Sequence, residues 1–164
     1  VQHLEMLCED FKPEGEIFDN FLMNTVIPYV ENNFPVCTDR QNVAVCGSSS
    51  GGLMSFFSAF EHPEKFGYAG VFSPAFLCYT RENWAKYLST KIVENMPYLY
   101  IYTGNGDELE EMIFESTEML YELLEESFYP YDRMNEVILF ENAHNEKSWR
   151  EIFPDFLHTF LSRL

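Results

Sequence analysis

Ser49 stands at the centre of Gly47-Ser48-Ser49-Ser50-Gly51, a Gly-x-Ser-x-Gly pattern between an apolar Val43-Ala44-Val45-Cys46 and the helix-forming Leu53-Met54-Ser55-Phe56-Phe57. At a strand-to-helix junction this pattern holds the central serine in a strained turn that lifts its hydroxyl clear of the backbone. The residues two places away must be small so that strand and helix can pack closely. The helix begins at once, so its free N–H groups and the positive end of its dipole face any negative charge that develops beside the serine. The glycine spacing selects Ser49 over its neighbours Ser48 and Ser50. The chemistry implied is nucleophilic attack by the Ser49 hydroxyl, with the backbone N–H of Ser50 as an oxyanion donor.

An unassisted hydroxyl is a poor nucleophile near neutral pH; it needs a base, and the base needs an orienting acid. The chain order Ser, then Asp or Glu, then His belongs to α/β-hydrolases. Of the four histidines, His3 is near the start, His62 belongs to a helix-ending His-Pro, and His158 lies on the last helix. His144, in Glu141-Asn142-Ala143-His144-Asn145-Glu146, falls in a loop between the last strand and the last helix, and is the expected base. Asp107, directly after the third strand in Thr103-Gly104-Asn105-Gly106-Asp107, is the expected acid, with Glu108 as the alternative. Each also suits the start of a helix, Asp107 as a cap and Glu108 as a first-turn acid. Ser73 and Phe76 follow the second strand and are expected to line the pocket beside Ser49. Trp149 opens the last helix near His144 and is expected at the same pocket. Packing is the competing role for Phe76 and Trp149.

The elements that must position these residues alternate between strand and helix. An amphipathic helix over 16–32 carries Ile17, Phe18, Phe21, Leu22, Val26 and Val30, with Pro28 expected to bend it or to start a fresh turn. Strands are expected at 42–46, 68–72, 98–102 and 136–140, and helices at 50–60, 81–89, 108–126 and 148–161. The 108–126 helix is expected to bury Met112, Ile113, Met119, Leu120, Leu123 and Leu124. Short apolar strands separated by helices imply an α/β fold with a parallel sheet covered on both faces. Ligands bind such sheets at the carboxyl ends of the strands, where Ser49, Ser73, Asp107 and His144 all fall. The length, 164 residues, suits one domain spanning 1–164.

Composition excludes several classes of function. With 46% hydrophobic and 17% aromatic residues the chain reads as a packed globule rather than a disordered segment. Ten basic residues against 27 acidic ones give a net charge of −17, which argues against nucleic acid and anionic membranes as partners. The acidic residues of 9–16 and 108–126 read as solvated faces. No apolar run approaches the roughly 20 residues that span a bilayer. The first residues lack the basic start and apolar run of a signal peptide, and the absence of an initial Met suggests a fragment or a processed chain. Cys8, Cys37, Cys46 and Cys78 form no Cys-x-x-Cys pair, so no metal site is expected. Cys46 reads as a small core residue, and a Cys8–Cys37 bridge is an open alternative to free thiols.

The segments Leu22-Met23-Asn24-Thr25-Val26-Ile27-Pro28-Tyr29-Val30-Glu31, Thr38-Asp39-Arg40, Gly47-Ser48-Ser49-Ser50-Gly51-Gly52 and Phe66-Gly67-Tyr68-Ala69-Gly70-Val71-Phe72-Ser73 together resemble the putative-esterase family. This family includes the feruloyl and acetyl xylan esterases of carbohydrate esterase family 1, enterochelin esterases and S-formylglutathione hydrolases. Gly104-x-x-Asp107 and Ala143-His144-x-x-x-x-Trp149 are similar to its acid and base segments, so the resemblance runs from about residue 17 to the end. It implies a partial α/β-hydrolase whose N-terminal strands are absent from this chain, and a serine esterase without cofactor. The implied substrate is a small ester or an acylated polysaccharide, carrying feruloyl or acetyl groups. Thioester or siderophore-ester hydrolysis, or a non-catalytic assembly module, are the alternatives. It also favours an extracellular setting, with a cytoplasmic one as the alternative. Ser50 departs from the Met usual after the nucleophile. The missing strands would bring the second oxyanion donor and leave a bare sheet edge prone to self-association or to pairing with an N-terminal segment.

Overall fold

The computed structural model describes residues 15–91 and 95–163. Helix α1 runs from 15 to 33, followed by β1 (Ala44–Ser48), α2 (Ser50–Glu61), β2 (Tyr68–Phe72), α3 (Arg81–Lys91), β3 (Tyr98–Gly104), α4 (Glu108–Glu126), β4 (Met134–Leu139) and α5 (Glu146–Leu161). The four strands lie in the order β1-β2-β3-β4, all parallel, with Ala44 opposite Tyr68, Tyr68 opposite Tyr98 and Leu99 opposite Met134. Right-handed connections between strands added always on the same side bring the intervening helices to one face of the sheet. The chain therefore has two unequal cores.

Strand alternation sorts the residues between them. Ala69, Val71, Leu99 and Ile101 face α2, α3 and α4, where they meet Phe56, Phe60, Trp84, Leu88, Leu120 and Leu124, with Leu22 and Ile27 of α1 packed at the margin. Tyr68, Phe72, Tyr98, Tyr100 and Tyr102 face the other way, onto Ile152 and Phe156 of α5. Among the described residues one helix covers that side, matched by wide aromatic rings, which cover more sheet per residue than aliphatic side chains would.

Pro28 stands in the first turn of a renewed α-helical stretch, Ile27–Asn33. The turn before it, Leu22–Val26, widens to a π-helix in which the Ile27 N–H reaches the Leu22 carbonyl. The extra residue makes room for a ring that lacks an N–H and crowds the preceding turn. Asp19 fastens α1 to α2 from an almost buried position, accepting from the Ser58 hydroxyl at 2.6 Å and meeting His62 Nε2 at 2.6 Å. Arg40 of the Thr-Asp-Arg turn donates to the carbonyls of Pro63, Asn95 and Met96, clamping the loops that enter β2 and β3.

Several boundaries move. Strand β1 begins at Ala44, not at Asn42, because Arg40–Asn42 closes a 3₁₀ turn with the Asn42 N–H on the Asp39 carbonyl at 2.8 Å. β3 continues through Gly104 and β4 starts at Met134. On α4 the buried stripe is Glu110, Ile113, Thr117, Leu120 and Leu124, so Met112 is exposed and Met119 half-buried. Cys46 is not a core residue: it lies exposed on β1, which pairs only with β2 among the described strands. A shallow groove of about 450 Å³ runs beside that edge, lined by Phe18, Leu22, Val45 and Met54. Cys37, Cys46 and Cys78 are free thiols, while Cys8, and with it the Cys8–Cys37 pairing, lies outside the described residues.

One side chain on the far edge makes stability depend on pH. Glu136 of β4 is half-buried against α4, and desolvation, then the hydrogen bond and charge of Glu118, then the charge of Glu125, push its carboxyl up to about 7. An unfolded Glu titrates near 4.3. The folded state thus prefers the protonated form, and stability present below the unfolded value is lost as pH rises through 7. With solvent screening of this partly exposed group, Glu136→Gln should gain about 1 kcal/mol at pH 8, a rise of ~2–4 °C in Tm. The gain should shrink towards zero at pH 5; thermal unfolding followed at the two pH values measures both.

Candidate active site

The turn between β1 and α2 holds Ser49 at φ 57° and ψ −123°, a left-handed region that a residue with a Cβ enters only under constraint. Its N–H donates to the Phe72 carbonyl at 2.9 Å, and its own carbonyl accepts from Leu53 at 3.1 Å and Ala75 at 3.2 Å. Gly47 is required by close approach, since a Cβ there would lie 2.6 Å from the Gly51 carbonyl oxygen. On the other side of Ser49 the crowded position is Gly52, whose Cβ would meet the Phe72 carbonyl at 2.8 Å. Gly51 faces open space among the described residues, contrary to the expectation that both motif glycines are sterically demanded. Ser50 is the first residue of α2, so its N–H has no hydrogen-bond partner within the helix.

His144 reaches that hydroxyl, with its Nε2 3.0 Å from Ser49 Oγ. Its loop is tied to the loop after β3 at several points: Gly106 N–H donates to the Asn142 carbonyl at 2.8 Å, and Glu141 N–H to Asn105 Oδ1 at 2.9 Å. Gly104 has no room for a side chain, as its Cβ would fall 2.1 Å from the Asn142 carbonyl oxygen. Asn145 then caps α5 by accepting from Lys147 and Ser148 N–H groups at 3.0 and 3.1 Å, so the helix begins immediately beyond the imidazole.

The carboxylate on the imidazole is neither Asp107 nor Glu108. Glu110 Oε2 lies 2.7 Å from His144 Nδ1, and Glu110 is 0% exposed. Asp107 sits one helical turn earlier and does different work. Its Oδ2 accepts the backbone N–H of His144 at 2.7 Å, and its Oδ1 caps α4 by accepting the N–H of Glu110 at 2.8 Å. These two donors hold its carboxyl below the usual carboxylate range. Glu108 is on the exposed first turn. Asp107 therefore fastens the backbones of two residues whose side chains meet each other.

Ser73 and Phe76 do not line the mouth of the site. Ser73 has φ 40° and no exposed surface, because its strained turn, fixed by its N–H on the Tyr102 carbonyl at 2.7 Å, rolls the side chain inward. There its hydroxyl donates to Glu110 Oε1 at 2.6 Å, beside the Gly104 N–H at 2.8 Å on the same oxygen. Phe76 is fully buried against Phe56 and Trp84, with ring centroids 5.1 and 5.3 Å away. Trp149 is half-buried; its ring stands edge-on to His144 at 5.0 Å and its Nε1–H donates to Ser73 Oγ at 2.9 Å. Among the described residues no group of three or more His, Cys, Asp or Glu side chains is disposed to hold a metal ion.

Glu110 left a trace in the sequence. It falls on the apolar stripe of α4 at spacings of three and seven from Ile113 and Thr117, where a core side chain belongs. A lone Glu at such a position must be paired or cost several kcal/mol. Hydroxyl, imidazole and buried carboxylate in a row are able to withdraw a proton from Ser49 and return it to a leaving group.

A family model described as putative esterase matches residues 8–160. An endo-1,4-beta-xylanase/feruloyl esterase of Xylanibacter ruminicola is 32% identical over 107 residues, 65% of this chain and 13% of that protein. Two solved structures share the fold. An enterochelin esterase from Shigella flexneri has a TM-score of 0.74 at 19% identity, covering 87% of this chain and 36% of the other. A ferulic acid esterase from Anaeromyces mucronatus, solved with ferulic acid, has a TM-score of 0.67 at 19% identity, covering 85% and 52%. The chain thus spans about half or less of these proteins. With a parallel α/β sheet of their type and a family match over nearly its whole length, the chain belongs to the putative-esterase family.

Proposed function

We propose that this chain carries the catalytic residues of a serine carboxylic-ester hydrolase acting on feruloyl or acetyl esters of plant polysaccharide. The observation that carries the reading is the unbroken contact from Ser49 Oγ through His144 to the buried Glu110. Family membership supports an ester bond as the target, and the xylanase/feruloyl esterase relative supports an acylated polysaccharide. In the reaction His144 Nε2 takes the Ser49 proton as the oxygen attacks the ester carbonyl, and the Ser50 N–H donates to the developing oxyanion. The imidazolium, held by Glu110, then protonates the departing alcohol, leaving an acyl-Ser49 that water hydrolyses by the reverse proton path. No metal or organic cofactor enters any of these steps.

A fluorophosphonate probe should label Ser49 and nothing else, and Ser49→Ala should abolish both labelling and turnover while leaving the unfolding curve in place. Full ester hydrolysis in that variant would sink the reading. Comparing methyl ferulate, acetylated xylan and p-nitrophenyl acetate then ranks the acyl groups, with feruloyl or acetyl polysaccharide esters expected ahead of thioesters.

The division of labour between two acids gives a sharper measurement. Glu110→Gln presents an amide to the imidazole and favours the wrong tautomer, so kcat should fall about 10³–10⁴-fold. Asp107→Asn keeps an oxygen for the α4 cap and should lose no more than about tenfold, the scale of a weakened cap. The reverse ranking in steady-state kinetics would return Asp107 to the role of acid.

A further inference from the structure

We infer that Ser73 and Trp149 are positioning residues that fix the proton direction of the whole chain from Glu110 to Ser49. The inference deepens the hydrolase reading above and rests on the same relay.

A hydroxyl can donate or accept, a carboxyl can be charged or protonated, and an imidazole has two tautomers. A hydrogen-bonded row of such groups can therefore run in either direction. The indole N–H is the exception, since it only donates. Trp149 Nε1–H points at Ser73 Oγ from 2.9 Å, so that oxygen is an acceptor on this side. Ser73 must then spend its single proton on the next partner, Glu110 Oε1, at 2.6 Å. The Gly104 N–H, also obliged to donate, reaches the same Oε1 at 2.8 Å. Two donors on one oxygen leave no place for a carboxyl proton there. The same two donors favour the ionised carboxylate, which can only accept at Oε2, so Nδ1 of His144 carries the imidazole proton. The other nitrogen, Nε2, is left bare towards the Ser49 hydroxyl, as a general base requires.

The same three donors hold the Glu110 side chain from swinging. Ser73 is itself rigid, with no exposed surface and a positive φ locked by its N–H on the Tyr102 carbonyl. Trp149 adds a second restraint by standing edge-on to the His144 ring. Indole and hydroxyl therefore act through Glu110 rather than on substrate.

The test joins ¹⁵N and ¹H NMR of His144, identified by its loss in His144→Gln, with steady-state kinetics on an aryl ester. In the unmodified protein His144 should be the Nδ1–H tautomer with that proton slow to exchange. Ser73→Ala should lower kcat roughly tenfold with KM within about twofold, and should speed exchange of the Nδ1 proton. Ser73→Cys, which keeps a weak donor, should fall between. Trp149→Phe should lower kcat several-fold in the unmodified background and hardly at all in Ser73→Ala, because its effect passes through the missing hydroxyl. An Nε2–H tautomer in the unmodified protein, unchanged exchange and kcat in Ser73→Ala, or losses that simply multiply would each overturn the inference. If Ser73→Ala does not fold, the Cys and Phe variants decide by the same readings. If the chain hydrolyses no ester, the hydrolase reading fails, while tautomer and exchange still decide this one.

Discussion

A buried carboxylate is the constraint on which the upper end of the sheet depends. Taking Glu110 out of water carries a penalty of several kcal/mol, offset only if its oxygens are filled with well-placed donors. The donors come from three different parts of the chain: Ser73 after β2, Gly104 at the end of β3 and His144 after β4. Each carboxyl end of a strand beyond β1 is therefore bound to the same side chain. The first turn of α4 adds the positive end of a helix dipole. Removing any one donor leaves part of a buried charge uncompensated, which explains why such different segments, one of them a strained non-glycine turn, are held in register.

The sheet below supplies the rigidity. Residues facing α2, α3 and α4 are aliphatic and small enough for three helices to sit close, while those facing α5 are tyrosines and phenylalanines. Tyr102 stands on the aromatic side yet uses its backbone carbonyl to fix Ser73 and its hydroxyl to accept from Asn142 Nδ2 at 3.1 Å. It thereby links the turn after β2 to the loop that carries His144. The opposite edge is different in kind. β1 is half-exposed, with Cys46 on the surface and an apolar groove alongside, and relatives in this family are considerably longer chains. The elbow sits on the least covered strand, and its hydrogen bonds run inward, to Phe72 and Ala75, rather than to that edge.

Sequence and structure agree where one physical signal dominates. Five-residue apolar runs bounded by Pro, Gly and Asn read as strands, and Tyr68–Phe72 forms one to the residue. The Gly-x-Ser-x-Gly turn and the loop position of His144 were legible because strand order and carboxyl-end placement leave few alternatives. The errors have a common origin. Ser73 follows a strand just as Ser49 does, but its turn rolls inward, and nothing in Phe72-Ser73-Pro74 distinguishes a positive φ that buries a hydroxyl from one that presents it. Phe76 was ambiguous between ring-binding and packing, and Phe56 and Trp84 decide for packing. Choosing Asp107 followed a sound rule about loops after strands and missed the burial pattern of the helix beginning there. Drawing the stripe of α4 through Met112 and Met119 beside Ile113, without Thr117, left Glu110 hidden among acidic neighbours.

Asp107 and Glu110 are related as N-cap and third residue of α4, the positions of a capping box. In that motif the acid three residues in folds back onto the cap's own N–H. Here Asp107 performs its half, accepting from the Glu110 N–H, but the Glu110 carboxylate is turned away from the reciprocal bond towards Gly104, Ser73 and His144. Asp107 uses its second oxygen on the His144 backbone instead. The diverted box places the side chain of one acid and the backbone of the base under the control of a single turn of helix. Distances between Glu110 and His144 then vary little with motion of either loop, because both are fastened to the same carboxylate. An acid placed at position 107 itself would hang from the loop it is meant to steady; three residues later it stands on the helix.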